Sequence, residues 1–175
     1  MLLKITSING IDKRKFLGIY SESTAENAAE FFPGDPADSA LEKAEKGFIE
    51  FLSVFFSSPG NTYWILEEDG IWVCAFRTSL ISPGFYYLEA LETRPDSRRR
   101  GYAAKLIRAV TGELSRQGAF IIRDCVGKRN TASVQTHLSC GFRIVSDKGA
   151  NYLDGTSSDR SYGMEYVFST DMRNS

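Results

Sequence analysis

One stretch decides how this sequence folds: LETRPDSRRRGYA, residues 91–103. A β-rich run ends here at Pro95, because proline cannot continue a central strand. A basic turn follows, and a helical pattern begins at two small residues, Gly101 and Ala103. The first backbone N–H groups of a helix have no internal partner and lie at the positive end of the helix dipole. The stretch therefore predicts a phosphate site at a helix N-terminus, where Arg98–Arg100 add positive charge.

Two other phosphate-binding patterns are missing from the sequence. It contains no GxxxxGK[ST] of a nucleotide P-loop, and no GxGxxG follows the first predicted strand. Three arginines before a helix can also form a turn that is merely solvated, and on charge alone this alternative stays open. The position of the arginines, between a strand and a helix that starts with small residues, favours the phosphate site.

The regions on either side of this stretch predict a mixed α/β sheet with helices on both faces. Asp69-Gly70 joins two β-rich runs, which is a strong signal for a hairpin. Residues 147–160 are rich in Gly, Ser and Asp and predict a loop. The predicted strands are residues 2–8, 62–68, 71–80, 85–93, 119–126, 142–146 and 161–169, and the predicted helices are residues 12–21, 24–32, 38–55, 101–117 and 131–139.

The composition predicts one globular domain that spans residues 1–175. Apolar residues make up 42% and charged residues 25% of the chain, and the net charge is −1. This balance is typical of a soluble domain and gives nucleic-acid binding no general support. The chain has three cysteines without a CxxC pair and no apolar run of membrane length, so we expect a reduced, cytoplasmic protein. Its single histidine gives no metal-ligand spacing, so we expect no bound metal.

Charge is distributed unevenly along the chain. Residues 21–50 carry eight acidic side chains against two basic ones, whereas residues 94–108 carry six basic side chains against one acidic one. Two solvated helix faces would explain this pattern. The alternative is an anionic cofactor bound at the basic segment and a cationic acceptor near the acidic one.

The basic stretch resembles the cofactor motif of the GNAT acetyltransferase superfamily, R/Q-x-x-G-x-G/A, which residues 98–103 (RRRGYA) match. A second segment, residues 130–142 (NTASVQTHLSCGF), is similar to the family pattern N-x-x-A-x-x-L-Y-x-K-x-G-F and keeps its Asn, Gly and Phe. Ser133 stands where the family has alanine, and His137 stands where it has tyrosine. The resemblance covers about residues 62–169 and implies a largely antiparallel sheet of about seven strands.

The resemblance also implies that the cofactor is acetyl-CoA. In this family the pantetheine arm lies along the strand that ends here near Thr93, and the pyrophosphate binds the amides of the turn that follows. The cofactor-binding residues expected from this resemblance are Leu91, Thr93, Arg98, Arg99, Arg100, Gly101, Ala103, Ala104, Asn130 and Ser133.

Direct transfer to an amine needs a base for the amine proton and benefits from an acid near the departing thiolate. Glu89 and Glu92 are the candidate bases, because carboxylates are unusual in an apolar strand. Alternation along a strand predicts that they lie on opposite faces, so that only one looks into the cleft. His137 has the position of the family's tyrosine and is the candidate acid. A backbone N–H near residues 91–93 is the candidate donor to the acyl oxygen.

Three functions follow from this sequence. The first is an N-acetyltransferase that acts on an amine of a small molecule or peptide, which the acidic segment suggests is cationic. The second is a non-catalytic acyl-CoA sensor, because His137 departs from the family tyrosine. The third, nucleic-acid binding through Arg98–Arg100, is the weakest. We expect neither a nucleic-acid nor a membrane partner, and the family suggests a homodimer.

Overall fold

The computed structural model describes residues 1–170, which form a central sheet covered by helices. The strands are β1 (Leu2–Ile5), β2 (Thr62–Glu68), β3 (Ile71–Ser82), β4 (Phe85–Thr93), β5 (Phe120–Gly127), β6 (Arg143–Ser146), β7 (Gly149–Ala150), β8 (Ser157–Ser158) and β9 (Ser161–Phe168). The helices are α1 (Lys13–Ile19), α2 (Ser21–Phe31), α3 (Ala37–Phe55), α4 (Tyr102–Leu114) and α5 (Thr131–Ser139). Within this range, no helix is both long enough and apolar enough to cross a bilayer.

The main sheet has seven strands in the order β1-β2-β3-β4-β5-β9-β6. Every neighbouring pair is antiparallel except β4 and β5, which run parallel. The crossover between these two strands is α4. The predicted fold class, a mixed and largely antiparallel sheet of about seven strands with helices on both faces, is confirmed.

Two apolar cores lie on opposite faces of the sheet. Residues of α4 and α5, such as Leu106, Val110 and Val134, pack with Trp64 and Phe76 on one face. On the other face, α1 and α3 pack over β2 and β3, and the buried side chains there are Phe16, Ile19, Tyr20, Leu52, Tyr63 and Ile65. The sheet is therefore buried on both sides at its centre, which explains why β2 and β3 are apolar at consecutive positions.

The predicted hairpin between β2 and β3 is confirmed. Asp69 and Gly70 have φ angles of 51° and 78°. Two consecutive residues with positive φ are what a type I′ turn requires, and Asp-Gly is a preferred pair for it.

Several boundaries differ from the sequence prediction. Helix α2 begins at Ser21 and not at residue 24, and β3 continues to Ser82 and not only to residue 80. The first strand ends at Ile5, because residues Ile8–Gly10 form a turn of 3-10 helix. Helix α4 ends at Leu114 and not at residue 117. The predicted loop at residues 147–160 contains the small hairpin β7–β8.

A gap opens between β4 and β5 and creates the cleft of the molecule. The two strands pair only from Phe85 with Ile121 to Leu88 with Asp124. Beyond this point β4 continues to Thr93 without β5 beside it. The second half of β4 therefore has backbone groups on one edge that no strand of the sheet satisfies, and such an edge can accept an extended ligand.

Candidate active site

A cavity of about 700 Å³ lies in this gap. It is bounded by the free half of β4, the turn before α4, and the first turns of α2 and α5. Its lining consists of Glu22, Ser23, Glu26, Leu91, Glu92, Thr93, Arg98, Arg99, Gly101, Tyr102, Ala103, Ala104, Asn130, Ala132, Ser133 and Thr136. The volume is within the range of small-molecule and cofactor sites.

The turn before α4 has the backbone geometry of an anion site. Arg99 and Gly101 have φ angles of 62° and 76°, on either side of Arg100. A left-handed residue next to right-handed ones turns successive N–H groups toward a common point. Helix α4 starts directly after Gly101, so its first free N–H groups open into the same cavity. A Cβ on Gly101 would meet no atom within 4 Å, so glycine is favoured here by backbone conformation and not by space.

Arg98 links this turn to both walls of the cavity. Its Nε donates to the carbonyl oxygen of Thr93 at 3.2 Å. Its guanidinium also forms an ion pair with Glu22 of α2 at 2.5 Å, and both side chains are about half exposed. The guanidinium is thus held across the cleft, next to the free amides of the turn.

Nine of the ten predicted cofactor residues line this one cavity. Arg100 is the exception, because it is exposed and lies outside the lining. Asn130 is the N-cap of α5 and accepts a hydrogen bond from the Ser133 amide at 3.0 Å. The structure thus brings together two segments, residues 91–104 and 130–133, that are far apart in the sequence. Their roles toward a cofactor stay a prediction.

The prediction that Glu89 and Glu92 lie on opposite faces of β4 is wrong. Glu89 is opposite Arg77 on β3, and Glu92 is opposite Ala75. Arg77 and Ala75 are two residues apart and share a face, so the two glutamates share it as well. The cause is a β-bulge: Ala90, with a φ of 54°, and Leu91 together oppose the single residue Phe76.

The two glutamates nevertheless have different surroundings. Glu89 forms an ion pair with Arg77 at 3.2 Å and is not part of the cavity lining. Glu92 faces the cavity. Burial raises the pKa of Glu92, the Ser23 hydroxyl and Arg98 oppose this rise, and Glu26 and Glu22 add to it. A carboxyl with a raised pKa is a better proton acceptor near neutral pH than an ordinary glutamate.

Tyr20, which follows the last residue of α1, stabilises the bulge by a hydrogen bond. Its hydroxyl donates to the carbonyl oxygen of Ala90 at 2.9 Å, and its side chain is buried. The bulge leaves Ala90 and Leu91 outside the regular ladder, so backbone groups at this point are free to meet a ligand.

His137 lies behind the cavity wall and does not line it. Its side chain is 1% exposed. Nδ1 is 2.8 Å from the carbonyl oxygen of Ser133, and Nε2 is 2.8 Å from Oδ2 of Asp124. To act as the predicted acid at a thiolate in the cavity, the ring would have to turn away from both partners. Its catalytic role stays a prediction.

Six lining residues were not predicted from the sequence, and they are Glu22, Ser23, Glu26, Tyr102, Ala132 and Thr136. Glu22 and Glu26 belong to the acidic segment that the sequence assigned to the acceptor. Their spacing of four residues puts them on one helix face, but no sequence signal indicated that this face meets Arg98.

Several solved structures with similar folds are acetyltransferases by name. The PaiA N-acetyltransferase of Thermoplasma acidophilum, in complex with coenzyme A, has a TM-score of 0.63 at 14% identity over 96% of this chain and 99% of that chain. The ribosomal-protein-S18-alanine N-acetyltransferase of Escherichia coli has a TM-score of 0.64 at 20% identity over 97% and 96%. A phosphinothricin acetyltransferase of Sinorhizobium meliloti, in complex with acetyl-CoA, has a TM-score of 0.63 at 17% identity over 97% and 88%.

A comparison with curated protein sequences gave no match. The model of the Acetyltransferase (GNAT) family matches residues 22–142. This range is well over half of the chain and includes the basic turn before α4, the free half of β4 and α5. The chain therefore belongs to the GNAT family of acetyltransferases.

Proposed function

We propose that residues 1–175 form one N-acetyltransferase domain that transfers the acetyl group of acetyl-CoA directly to an amine of a small molecule or peptide. The observation that carries this proposal is the cavity in the gap between β4 and β5. It joins a free strand edge, a basic turn with two left-handed residues and the start of α4. The structures of the relatives from Thermoplasma acidophilum and Sinorhizobium meliloti contain coenzyme A and acetyl-CoA, respectively.

The cavity suits the two chemically different halves of such a cofactor. The amide groups of a pantetheine arm can pair with the free backbone edge of Leu91 and Thr93, as an added strand would. A pyrophosphate fits the amides at Gly101, Ala103 and Ala104, with Arg98 and Arg99 beside it. Asn130 and Ser133 form the opposite wall. When bound, acetyl-CoA supplies an activated acyl group.

Glu92 is the residue we assign as general base. It faces the cavity, and its raised pKa fits the removal of a proton from an ammonium group, directly or through a water molecule. A lysine-like ammonium group has a pKa of about 10.4 and must lose a proton before its nitrogen can attack. Backbone N–H groups at the bulge, which Tyr20 holds in place, can donate to the acyl oxygen as negative charge develops on it.

The acceptor we favour is a cationic amine. Glu26 and Glu92 line the same cavity, and the charge of Glu26 helps to raise the pKa of Glu92, so a positively charged acceptor would offset their mutual repulsion. The relative from Escherichia coli acts, according to its name, on the alanine of a ribosomal protein. The acidic lining is compatible with a peptide or a small-molecule amine.

Calorimetry with coenzyme A tests the site, and neighbouring arginines provide matched variants. Arg99→Ala and Arg100→Ala remove the same charge one residue apart, but only Arg99 lines the cavity. A charge-assisted hydrogen bond is worth about 1.5–3 kcal/mol, so Arg99→Ala should weaken coenzyme A binding about tenfold or more. Arg100→Ala should change it about twofold or less, as screening of an exposed charge predicts. Equal losses in the two variants would contradict the proposed site.

Release of free thiol from acetyl-CoA in the presence of a panel of amines then tests the activity. We expect turnover that depends on the amine and is greater for amines with a second positive charge. Tight coenzyme A binding without turnover on any amine would instead support the non-catalytic acyl-CoA sensor. Lack of coenzyme A binding by the unmodified chain would refute both functions.

A further inference from the structure

Asp124 and His137 form a buried pair at the point where β4 and β5 separate. Asp124 is opposite Leu88, the last residue of β4 that pairs with β5. His137 reaches it from α5, and the distance from Nε2 to Oδ2 is 2.8 Å. Asp124 is 8% exposed and His137 1%. Ionisable groups are seldom this deeply buried unless they are paired, so the role of each group depends on its contact with the other.

The contacts of the imidazole fix the position of its hydrogens. A carbonyl oxygen only accepts hydrogen bonds, so Nδ1, at 2.8 Å from the Ser133 oxygen, carries a hydrogen. If Nε2 had no hydrogen, its lone pair would face a carboxylate oxygen at contact distance and the two would repel each other. The oxygen is not well aligned with the ring nitrogen, so the contact is an ion pair more than a directed hydrogen bond. A proton on Nε2 removes the repulsion and makes the pair neutral as a whole.

The pKa of His137 agrees with this assignment. Burial lowers that pKa, but the contact with Asp124, its negative charge and the Ser133 carbonyl together raise it above its ordinary value. The raising contributions are larger than the effect of burial. The ring thus stays protonated at higher pH than an exposed histidine, whose pKa is about 6.5.

Few other ionisable groups surround the pair. The Cys125 thiol on β5 and the Tyr87 phenol on β4 both have a pKa that burial raises and that the charge of Asp124 raises further. On the β9 side, Tyr166 packs against Phe142, whose ring meets the His137 ring edge-on. From α4, Arg108 binds the carbonyl of Ser139 at the far end of α5. Asp124 is therefore the charged partner in direct contact with the ring among the described residues.

The pair also connects the sheet to the wall of the cavity. Ser133 accepts the Nδ1 hydrogen bond through its carbonyl, and its amide is the group capped by Asn130. Ala132 and Thr136 of the same turn line the cavity too. The contact from Asp124 through His137 to Ser133 thus fixes the first turn of α5 relative to β5.

We propose that Asp124 is a positioning residue for the cofactor, because it keeps a proton on His137 and the charged ring holds the cavity-lining turn of α5 in place. The inference depends on the proposed function only for the identity of the ligand. The pair keeps α5 in position while the His137 ring is protonated. When Nε2 loses its proton, a buried carboxylate is left against a neutral ring. Affinity for coenzyme A should therefore be full at low and neutral pH and fall as pH rises through the raised pKa of His137.

The first experiment is a nitrogen-15 NMR titration of the ligand-free protein. His137 is the only histidine in the chain, so its ring signals need no assignment by mutation. We expect both ring nitrogens to carry hydrogen at pH 7 and the midpoint to lie above 6.5. In Asp124→Asn the carboxylate is replaced by an amide, and the midpoint should fall below 6.5. A neutral ring at pH 7 in the unmodified protein would overturn the proposal, whether or not coenzyme A binds.

The second experiment measures the affinity for coenzyme A between pH 6 and 10. Asp124→Asn serves as the conservative variant, because its side-chain amide can donate to the neutral ring and restore the contact without a proton. We expect Asp124→Ala to weaken binding about tenfold and Asp124→Asn to weaken it about threefold at most, because the pair acts on the site only through α5. The ratio of the dissociation constants of Asp124→Asn and the unmodified protein cancels the ionisation of coenzyme A itself. This ratio should fall as pH rises.

Thermal unfolding of each variant shows whether it is folded. A ratio of dissociation constants that stays constant from pH 6 to pH 10 would overturn the proposal. So would an Asp124→Asn variant that is folded but binds as weakly as Asp124→Ala. If coenzyme A fails to bind the unmodified protein, the proposed function is wrong, whereas the NMR result still decides the state of the pair.

Discussion

Glu22→Gln should increase the affinity of the protein for coenzyme A. Glu22 forms an ion pair with Arg98 at 2.5 Å, so a phosphate that binds Arg98 has to compete with this carboxylate. The exposures of the two side chains are 46% and 52%, which makes this a solvent-screened pair worth at most about 1 kcal/mol. Removal of the competition should therefore lower the dissociation constant by up to about fivefold, because 1.4 kcal/mol corresponds to tenfold.

The assay is isothermal titration calorimetry at 50 mM and 500 mM salt. The gain should shrink at high salt, because the Debye length falls from about 10 Å at 0.1 M to about 3 Å at 1 M. Glu30→Gln is the matched control: it changes the same charge on the same helix, but Glu30 is exposed and lies outside the cavity. This control should change the affinity about twofold or less, as an exposed surface charge is expected to do.

A double-mutant cycle connects the gain to Arg98. If the pair is its source, Glu22→Gln should have a much smaller effect in a chain that already carries Arg98→Ala. The reasoning is refuted if Glu22→Gln weakens binding, or if its gain is the same with and without Arg98. Either outcome would mean that Glu22 does not compete with the ligand for this guanidinium.

The other predictions concern the base and the phosphate turn. Glu92→Gln should lower kcat about 10²-fold or more, as loss of a general base does, and should leave the coenzyme A dissociation constant within about threefold. Glu89 lies outside the cavity, so Glu89→Gln should lower kcat much less. A general base acts in its deprotonated form. If Glu92 is the base, its raised pKa predicts that kcat/KM, measured by thiol release, falls as pH drops through a midpoint above the ordinary glutamate value. Gly101→Ala places alanine at a φ of 76° and should lower the free energy of unfolding by about 1 kcal/mol. Gly112 lies within α4 and has open space around it, so Gly112→Ala should raise that free energy by about 0.5–1 kcal/mol. Denaturant unfolding measures both.

The two short motifs were sufficient to predict most of the residues that line the cavity. The turn at residues 98–101 and the start of α4 depend on neighbours in the chain, because left-handed positions and free helix amides are local properties. The cap of α5 at Asn130 is local in the same sense. The second motif needed only the family spacing to place Ser133 near the first.

The catalytic candidates were harder to place, because each depends on a partner distant in the sequence. The bulge at Ala90 arises where β4 meets Phe76 of β3, and it inverts the alternation that the sequence predicted for the residues beyond it. His137 has the expected spacing on α5, but Asp124, thirteen positions earlier, turns it toward the sheet and away from the cavity. Glu22 meets Arg98 only because the first turn of α2 lies beside the end of β4, at the same cavity.

The sequence by itself determined the order of strands and helices, the hairpin at Asp69-Gly70 and the basic turn before α4. Apolar periodicity, proline and glycine act over a few residues, so their consequences can be derived from a single chain. Only the tertiary structure decided which face the glutamates share, which residue forms an ion pair with Arg98 and where the imidazole of His137 points. These outcomes depend on strand pairing and on charge contacts across the cleft, which no local pattern encodes.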